Sequence, residues 1–137
     1  MRYKRISYRY AMVVHPREPR VFGDVWRGVA TRVVIAQPRW QPATDLYEID
    51  GTIYVTIELA GVNPDELDIV LYQDAVIVEG DRRLPAVEPG GRYHAVEIRQ
   101  GPFRIELPLP ALVDLDQVTA RYDRGLLFLE LPKATTR

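Results

Sequence analysis

Apolar and polar residues alternate strictly over residues 52–59. Ile53, Val55, Ile57 and Leu59 fall on one face, and Tyr54, Thr56 and Glu58 on the other. A period of two predicts a half-buried β-strand, because successive side chains of an extended chain point to opposite sides. The pattern recurs along the chain. Leu67, Ile69 and Leu71 alternate with Asp68, Val70 and Tyr72, and residues 75–80 are apolar on both faces, as a central strand requires. Residues 93–99 alternate again. Phe103, Ile105, Leu107 and Leu109 then stand opposite Arg104 and Glu106; Val118, Ala120 and Tyr122 mark a short strand, and residues 126–131 close the series. Turn residues separate these runs: Gly61 and Asn63-Pro64, Gln73-Asp74, Pro89-Gly90-Gly91, Gly101-Pro102 and Asp123-Arg124-Gly125. Pro108 and Pro110 lack an amide N–H, so their strand must end there or lie at a sheet edge. About seven or eight short strands at this spacing, with no strong helical period, predict an all-β fold: an immunoglobulin-like antiparallel β-sandwich over residues 40–133.

Residues 1–39 show no sustained period, and Pro16, Pro19 and Pro38 interrupt any long helix. A short helix over residues 24–34, capped by Asp24, is possible there, although Gly28 and the β-branched residues weaken it. The segment is expected to be a flexible N-terminal arm, mobile or partly helical. Beyond Lys133 only residues 134–137 remain, a short C-terminal tail.

Composition adds charge asymmetry. The net charge is −1, yet residues 1–39 carry nine basic groups against Glu18 and Asp24, while residues 40–137 carry nine basic against seventeen acidic. An arm of +7 and a body of −8 can lie against each other, within one subunit or between two. The arm's basic residues are scattered rather than clustered, which argues against a nucleic-acid site. No run of about 18 apolar residues suggests a membrane span. The absence of cysteine fits a reducing compartment, and the cytoplasm is the expected location.

Catalysis needs groups of matched pKa converging on a pocket. Ser7, the only serine, lies in the arm, and His15 and His94 fall on opposite sides of the domain boundary without metal-binding spacing. Asp65, Glu66 and Asp68 form the densest acidic group but lack a calcium-loop pattern, and Gly90-Gly91 lacks the lysine of a phosphate loop. No enzyme activity, cofactor or metal is expected. The domain reads as a binding module.

The most specific motif is Ala120-Arg121-Tyr122-Asp123-Arg124-Gly125-Leu126-Leu127, running on to Pro132-Lys133. Upstream stand Leu59-Ala60-Gly61-Val62 with Asp65-Glu66-Leu67, then Glu97, Gly101-Pro102-Phe103 and Leu109-Pro110. In order and spacing these resemble the α-crystallin domain of small heat-shock proteins, the Hsp20 family, over about residues 40–133. Ala120, Gly125, Leu126 and Leu127 carry the signature. The resemblance implies an ATP-independent holdase that binds partly unfolded client proteins and prevents their aggregation. A co-chaperone or adaptor sandwich docking one folded partner is the alternative.

The resemblance also implies sites. A client or tail groove would lie between the strands holding Leu67, Ile69 and Leu71 and those holding Phe103, Ile105 and Leu107. A loop carrying Arg82, Arg83, Leu84, Val87, Arg92 and Tyr93 would exchange with a second copy, pairing near residues 43–49 to build a homodimer. Tyr8, Tyr10, Phe22 and Trp26 in the arm are further candidate client contacts. The family's C-terminal Ile-x-Ile/Val motif is absent from residues 134–137, so assembly into large shells is not expected from the tail. Ile105 stands where many members carry arginine, with Arg104 beside it.

Overall fold

The computed structural model describes residues 3–7, 12–14 and 39–135; the helix expected over residues 24–34 lies outside them. Among the described residues nine strands follow in order: β1 (Tyr3–Ser7), β2 (Met12–Val14), β3 (Thr44–Ile49), β4 (Thr52–Glu58), β5 (Asp68–Tyr72), β6 (Ala75–Arg82), β7 (Gly101–Pro108), β8 (Thr119–Asp123) and β9 (Leu126–Pro132). A 3₁₀ turn over Pro64–Glu66 precedes β5, with the Asn63 side chain accepting from the Asp65 amide. The strands form a five-stranded sheet, β2-β1-β5-β6-β7, and a four-stranded sheet, β3-β4-β9-β8, with antiparallel neighbours throughout.

The alternation read along the chain becomes the packing. Ile53, Val55 and Ile57 of β4 and Leu127, Leu129 and Leu131 of β9 face Ile69 and Leu71 of β5, Val76 and Val78 of β6 and Phe103 of β7 in one core. Each of these side chains is all but inaccessible to water. Burying an aliphatic side chain of this kind contributes about 1.5–3 kcal/mol. Gly80 leaves space for the Phe103 ring: a Cβ there would stand 2.5 Å from Phe103 Cζ.

Turn chemistry sets the registers. Gln73-Asp74 joins β5 to β6 with Tyr72 opposite Ala75. Arg124 (φ 52°) and Gly125 (φ 83°) join β8 to β9, and Asp50 (φ 49°) and Gly51 (φ 76°) join β3 to β4. Two successive positive φ values match the right-handed twist of a tight hairpin. As expected from its apolar faces, β6 lies between two neighbours, and β7 ends at Pro108 on the sheet's outer edge.

Two features differ from the expectations above. Residues 93–99 alternate like a strand but form no ladder among the described residues; they belong to a loop between β6 and β7. Alternation makes a segment competent to pair, and a ladder also needs an edge within reach. Conversely, residues 3–7 and 12–14, assigned to the arm, are strands. β1 pairs with β5 from Tyr3 opposite Tyr72 to Ile6 opposite Ile69, and β2 pairs with β1. Lys4 is buried, and its Nζ donates to the Leu115 carbonyl at 2.9 Å, fastening β1 to the connection between β7 and β8.

Candidate interaction surface

Leu67, Ile69, Leu71, Phe103 and Ile105 are buried and Leu107 is half-buried, all in or against the core. Among the described residues they face the core rather than an open groove. β5 and β7 belong to one sheet with β6 between them, and the apolar stripe they share is the one packed on the opposite sheet. The free side of β5 is taken as well, because β1 pairs along it.

Exposed apolar surface concentrates elsewhere. On β3, the edge strand of the four-stranded sheet, Leu46, Tyr47 and Ile49 are 38%, 58% and 51% exposed. In the loop between β6 and β7, Val87, Tyr93, Val96 and Ile98 are 44%, 59%, 67% and 65% exposed. Among the described residues no strand pairs with the outer side of β3. An edge strand and an alternating apolar segment without a ladder are complementary in kind.

Tyr47 stacks on Tyr54 with ring centroids 5.1 Å apart, and the Tyr54 hydroxyl donates to Glu130 at 3.4 Å. Burial, then the nearby Glu130 carboxylate, push the Tyr54 phenol above its ordinary value. Lys133, just past β9, pairs with Glu48 of β3. These contacts hold β3 on its sheet from the inner side, leaving the outer side open.

The loop's base is clamped by Arg82, the last residue of β6. This side chain is buried, although nothing in the charge pattern of the sequence distinguishes it from exposed Arg83. Its Nε donates to the Arg99 carbonyl at 2.9 Å and its Nη1 to the Ala60 carbonyl at 3.3 Å, with Glu58 at 3.6 Å. The guanidinium lies 4.4 Å over the Trp40 ring, which meets Phe103 edge-on at 5.4 Å and donates its indole N–H to the Gly101 carbonyl at 3.0 Å. Residues 83–98 therefore leave and return through one fixed collar. Arg83 pairs with Asp81 at 3.2 Å, Leu84 is half-buried beside the collar, and Val87, Arg92 and Tyr93 project into solvent with His94. The sequence does not announce the stacking of Arg82 on Trp40; a tryptophan at the domain boundary is the available signal.

Of the signature residues, Ala120 is half-buried on β8 against the core, Leu126 is half-buried at the start of β9, and Leu127 is fully buried. Gly125 sits in the turn, where its backbone approaches Ala60: the Leu59 amide donates to the Gly125 carbonyl at 2.7 Å. The Tyr122 hydroxyl donates to the Leu59 carbonyl at 2.8 Å. The signature thus ties the β8–β9 turn to the chain leaving β4. Tyr8, Tyr10, Phe22 and Trp26 lie outside the described residues. Among the described residues, no helix is long and apolar enough to cross a membrane.

The model of the Hsp20/alpha crystallin family matches residues 45–137. Small heat shock proteins C2 and C4 of Rickettsia felis are 30% and 29% identical to this chain over 92 residues. Those matches cover 67% of this chain but only 60% and 56% of the two relatives, so the chain spans less than two thirds of their lengths. The solved structure of HSP18.5 from E. histolytica superposes with a TM-score of 0.62 at 28% identity, covering 72% of this chain and 92% of that one.

Proposed function

We propose that this chain, which belongs to the Hsp20/alpha crystallin family, is an ATP-independent holdase that binds partly unfolded proteins and keeps them from aggregating. Membership of a family of small heat-shock chaperones supports a chaperone role in place of catalysis. The observation that carries the reading is the apolar β3 edge, along which no strand pairs among the described residues, together with the exposed apolar loop. An unfolding client presents the same two things, extended backbone and apolar side chains, and an open edge can satisfy both. Two client aliphatic side chains buried there would contribute about 3–6 kcal/mol before ordering costs, which leaves weak, reversible capture.

The same two surfaces support a homodimer. Residues 83–98 of one copy, aimed by the Arg82 collar, would pair along β3 of the other, and the reverse contact would follow by two-fold symmetry. Arg92 and Tyr93 lie in that loop. The arm, through Tyr8, Tyr10, Phe22 and Trp26, is a second client-contacting segment in this reading. We place the activity in the cytoplasm on composition.

The test is light scattering from a heat-labile client, such as citrate synthase, at equimolar chain without nucleotide. Scattering should fall severalfold and be unaffected by added ATP. Undiminished scattering would overturn the holdase reading, and a native mass equal to one chain would overturn the dimer.

A further inference from the structure

The outer face of the four-stranded sheet carries aromatic side chains that the edge pairing and the loop leave unused. The registers set two rungs side by side on this face. Tyr47, Tyr54, Glu130 and Thr119 make one, running from β3 to β8, and Asp45, Thr56, Phe128 and Arg121 make the next. Their chain neighbours Val55 and Leu129 point the other way, into the core. Tyr47 is 58% exposed, and Asp45, Arg121 and Glu130 are exposed as well, so the face is open to solvent. Between the rungs the surface dips into a depression of about 570 Å³ bordered by Tyr54, Thr56, Phe128, Arg121 and Glu130.

Ring geometry gives the depression two aromatic walls. Tyr47 stacks on Tyr54 with planes 18° apart, so the other face of Tyr54 turns toward β9. Phe128 of β9 carries the Arg121 guanidinium 4.4 Å from its ring centre, on the β8 side, and its remaining face turns toward β4. Tyr54 and Phe128 are diagonal neighbours across β4 and β9, a separation of about 7–8 Å. A planar group set between them falls within the roughly 6 Å of each ring centre over which a cation is attracted. Charge then selects the group. Glu130 borders the gap and accepts from the Tyr54 hydroxyl at 3.4 Å and the Thr119 hydroxyl at 3.5 Å, both long, so much of its acceptor capacity is free. Among the described residues no basic side chain pairs with Glu130 or Asp45, whereas Arg121 is balanced by Asp123 at 3.4 Å. Two ring faces beside a carboxylate without a cation suit a guanidinium, which can stack and donate a fork of hydrogen bonds at once.

We propose that this face docks a partner protein through an arginine side chain on an exposed basic segment, the guanidinium lying between Tyr54 and Phe128 and donating to Glu130. Arg121 on Phe128 is the same contact made within the chain. A strand added to β3 would bond to its edge, in the plane of the sheet, and leave the outward side chains of β4 and β9 clear. The inference therefore goes beyond client capture and dimer formation, and stands whether or not the chain is a holdase.

Fluorescence anisotropy of a labelled seven-residue peptide, arginine alternating with serine, tests it on the full-length protein. Counterparts carrying lysine, or the neutral isostere citrulline, are the comparisons. The arginine peptide should bind about tenfold or more tighter than the citrulline peptide, and several-fold tighter than the lysine peptide, because an ammonium cannot stack and fork together. Glu130→Gln, which keeps the side chain's shape, and Phe128→Leu should each weaken it about tenfold or more. Glu66→Gln, in the 3₁₀ turn outside this sheet, should leave binding unchanged. Equal affinity for the arginine and lysine peptides would reduce the face to diffuse attraction and overturn the proposal, and so would equal losses in Glu130→Gln and Glu66→Gln. If Phe128→Leu fails to fold, Glu130→Gln decides alone. A native mass lowered by Glu130→Gln would assign the face to a second copy of the chain, and would also overturn it.

Discussion

Placing an alanine at Gly125 asks two things of the β8–β9 turn at once. The residue sits at φ 83°, and the new Cβ would stand 2.9 Å from both the Cα and the Cβ of Ala60. A side chain in the left-handed region costs about 1–2 kcal/mol. Forcing a methyl into packed backbone adds about 1–3 kcal/mol, because the Ala60 segment is held by the Leu59 amide on the Gly125 carbonyl and cannot simply retreat. The total, about 3 kcal/mol, corresponds to a drop of about 10–25 °C in Tm for a domain of this size. Gly51→Ala supplies the control. Its φ is 76°, but a methyl added there would meet no atom within 4 Å, so only the dihedral cost applies, about 1 kcal/mol. Urea unfolding followed by circular dichroism should show a midpoint loss for Gly125→Ala roughly two to three times that for Gly51→Ala, with unchanged m-values. Adding Ala60→Gly to Gly125→Ala relieves the clash between the two methyl groups but leaves the new methyl against the backbone of residue 60, so rescue should be partial. Equal losses at the two glycines would refute crowding by Ala60 as the reason the signature needs glycine.

Arg82→Lys should destabilise the loop base by about 2 kcal/mol, because a lysine cannot serve the Ala60 and Arg99 carbonyls while stacking on Trp40; faster amide exchange confined to residues 83–100 is the readout, and unchanged exchange would count against the collar. Leu46→Lys on β3, or Tyr93→Asp with Val96→Asp in the loop, should weaken self-association at least tenfold in sedimentation equilibrium. The protomer's own stability should move by no more than about 0.5 kcal/mol, since these side chains are exposed. Burial, then the Glu58 carboxylate, raise the Tyr122 phenol above its ordinary value of 10.0. The native state therefore favours the protonated form, so its contribution is intact below about pH 10 and is lost as pH rises through the elevated value. Tyr122→Phe should flatten that alkaline fall in the urea midpoint, and should lower stability at neutral pH by about 1 kcal/mol through the lost hydrogen bond to Leu59.

Sequence alone determined most strands of the sandwich and which face of each is apolar, because a period of two is a local property of an extended chain. It also marked the turns, since positive φ at Arg124 and Gly125 is a demand on residue type made within four residues. The Asp50-Gly51 hairpin carries the same local signal, an Asp-Gly pair, although it is not among the turns predicted from the chain. Tertiary structure decided which strands became neighbours. Leu67, Ile69 and Leu71 and the stripe from Phe103 to Leu107 looked like two walls of a groove, but β6 lies between them and the other sheet covers both. Pairing of β1 with β5, the burial of Lys4 and Arg82, and the unpaired state of residues 93–99 have no local signature either. Alternation tells a strand which of its sides is apolar; only the assembled sheets determine what lies against that side, and which edges are left to bind.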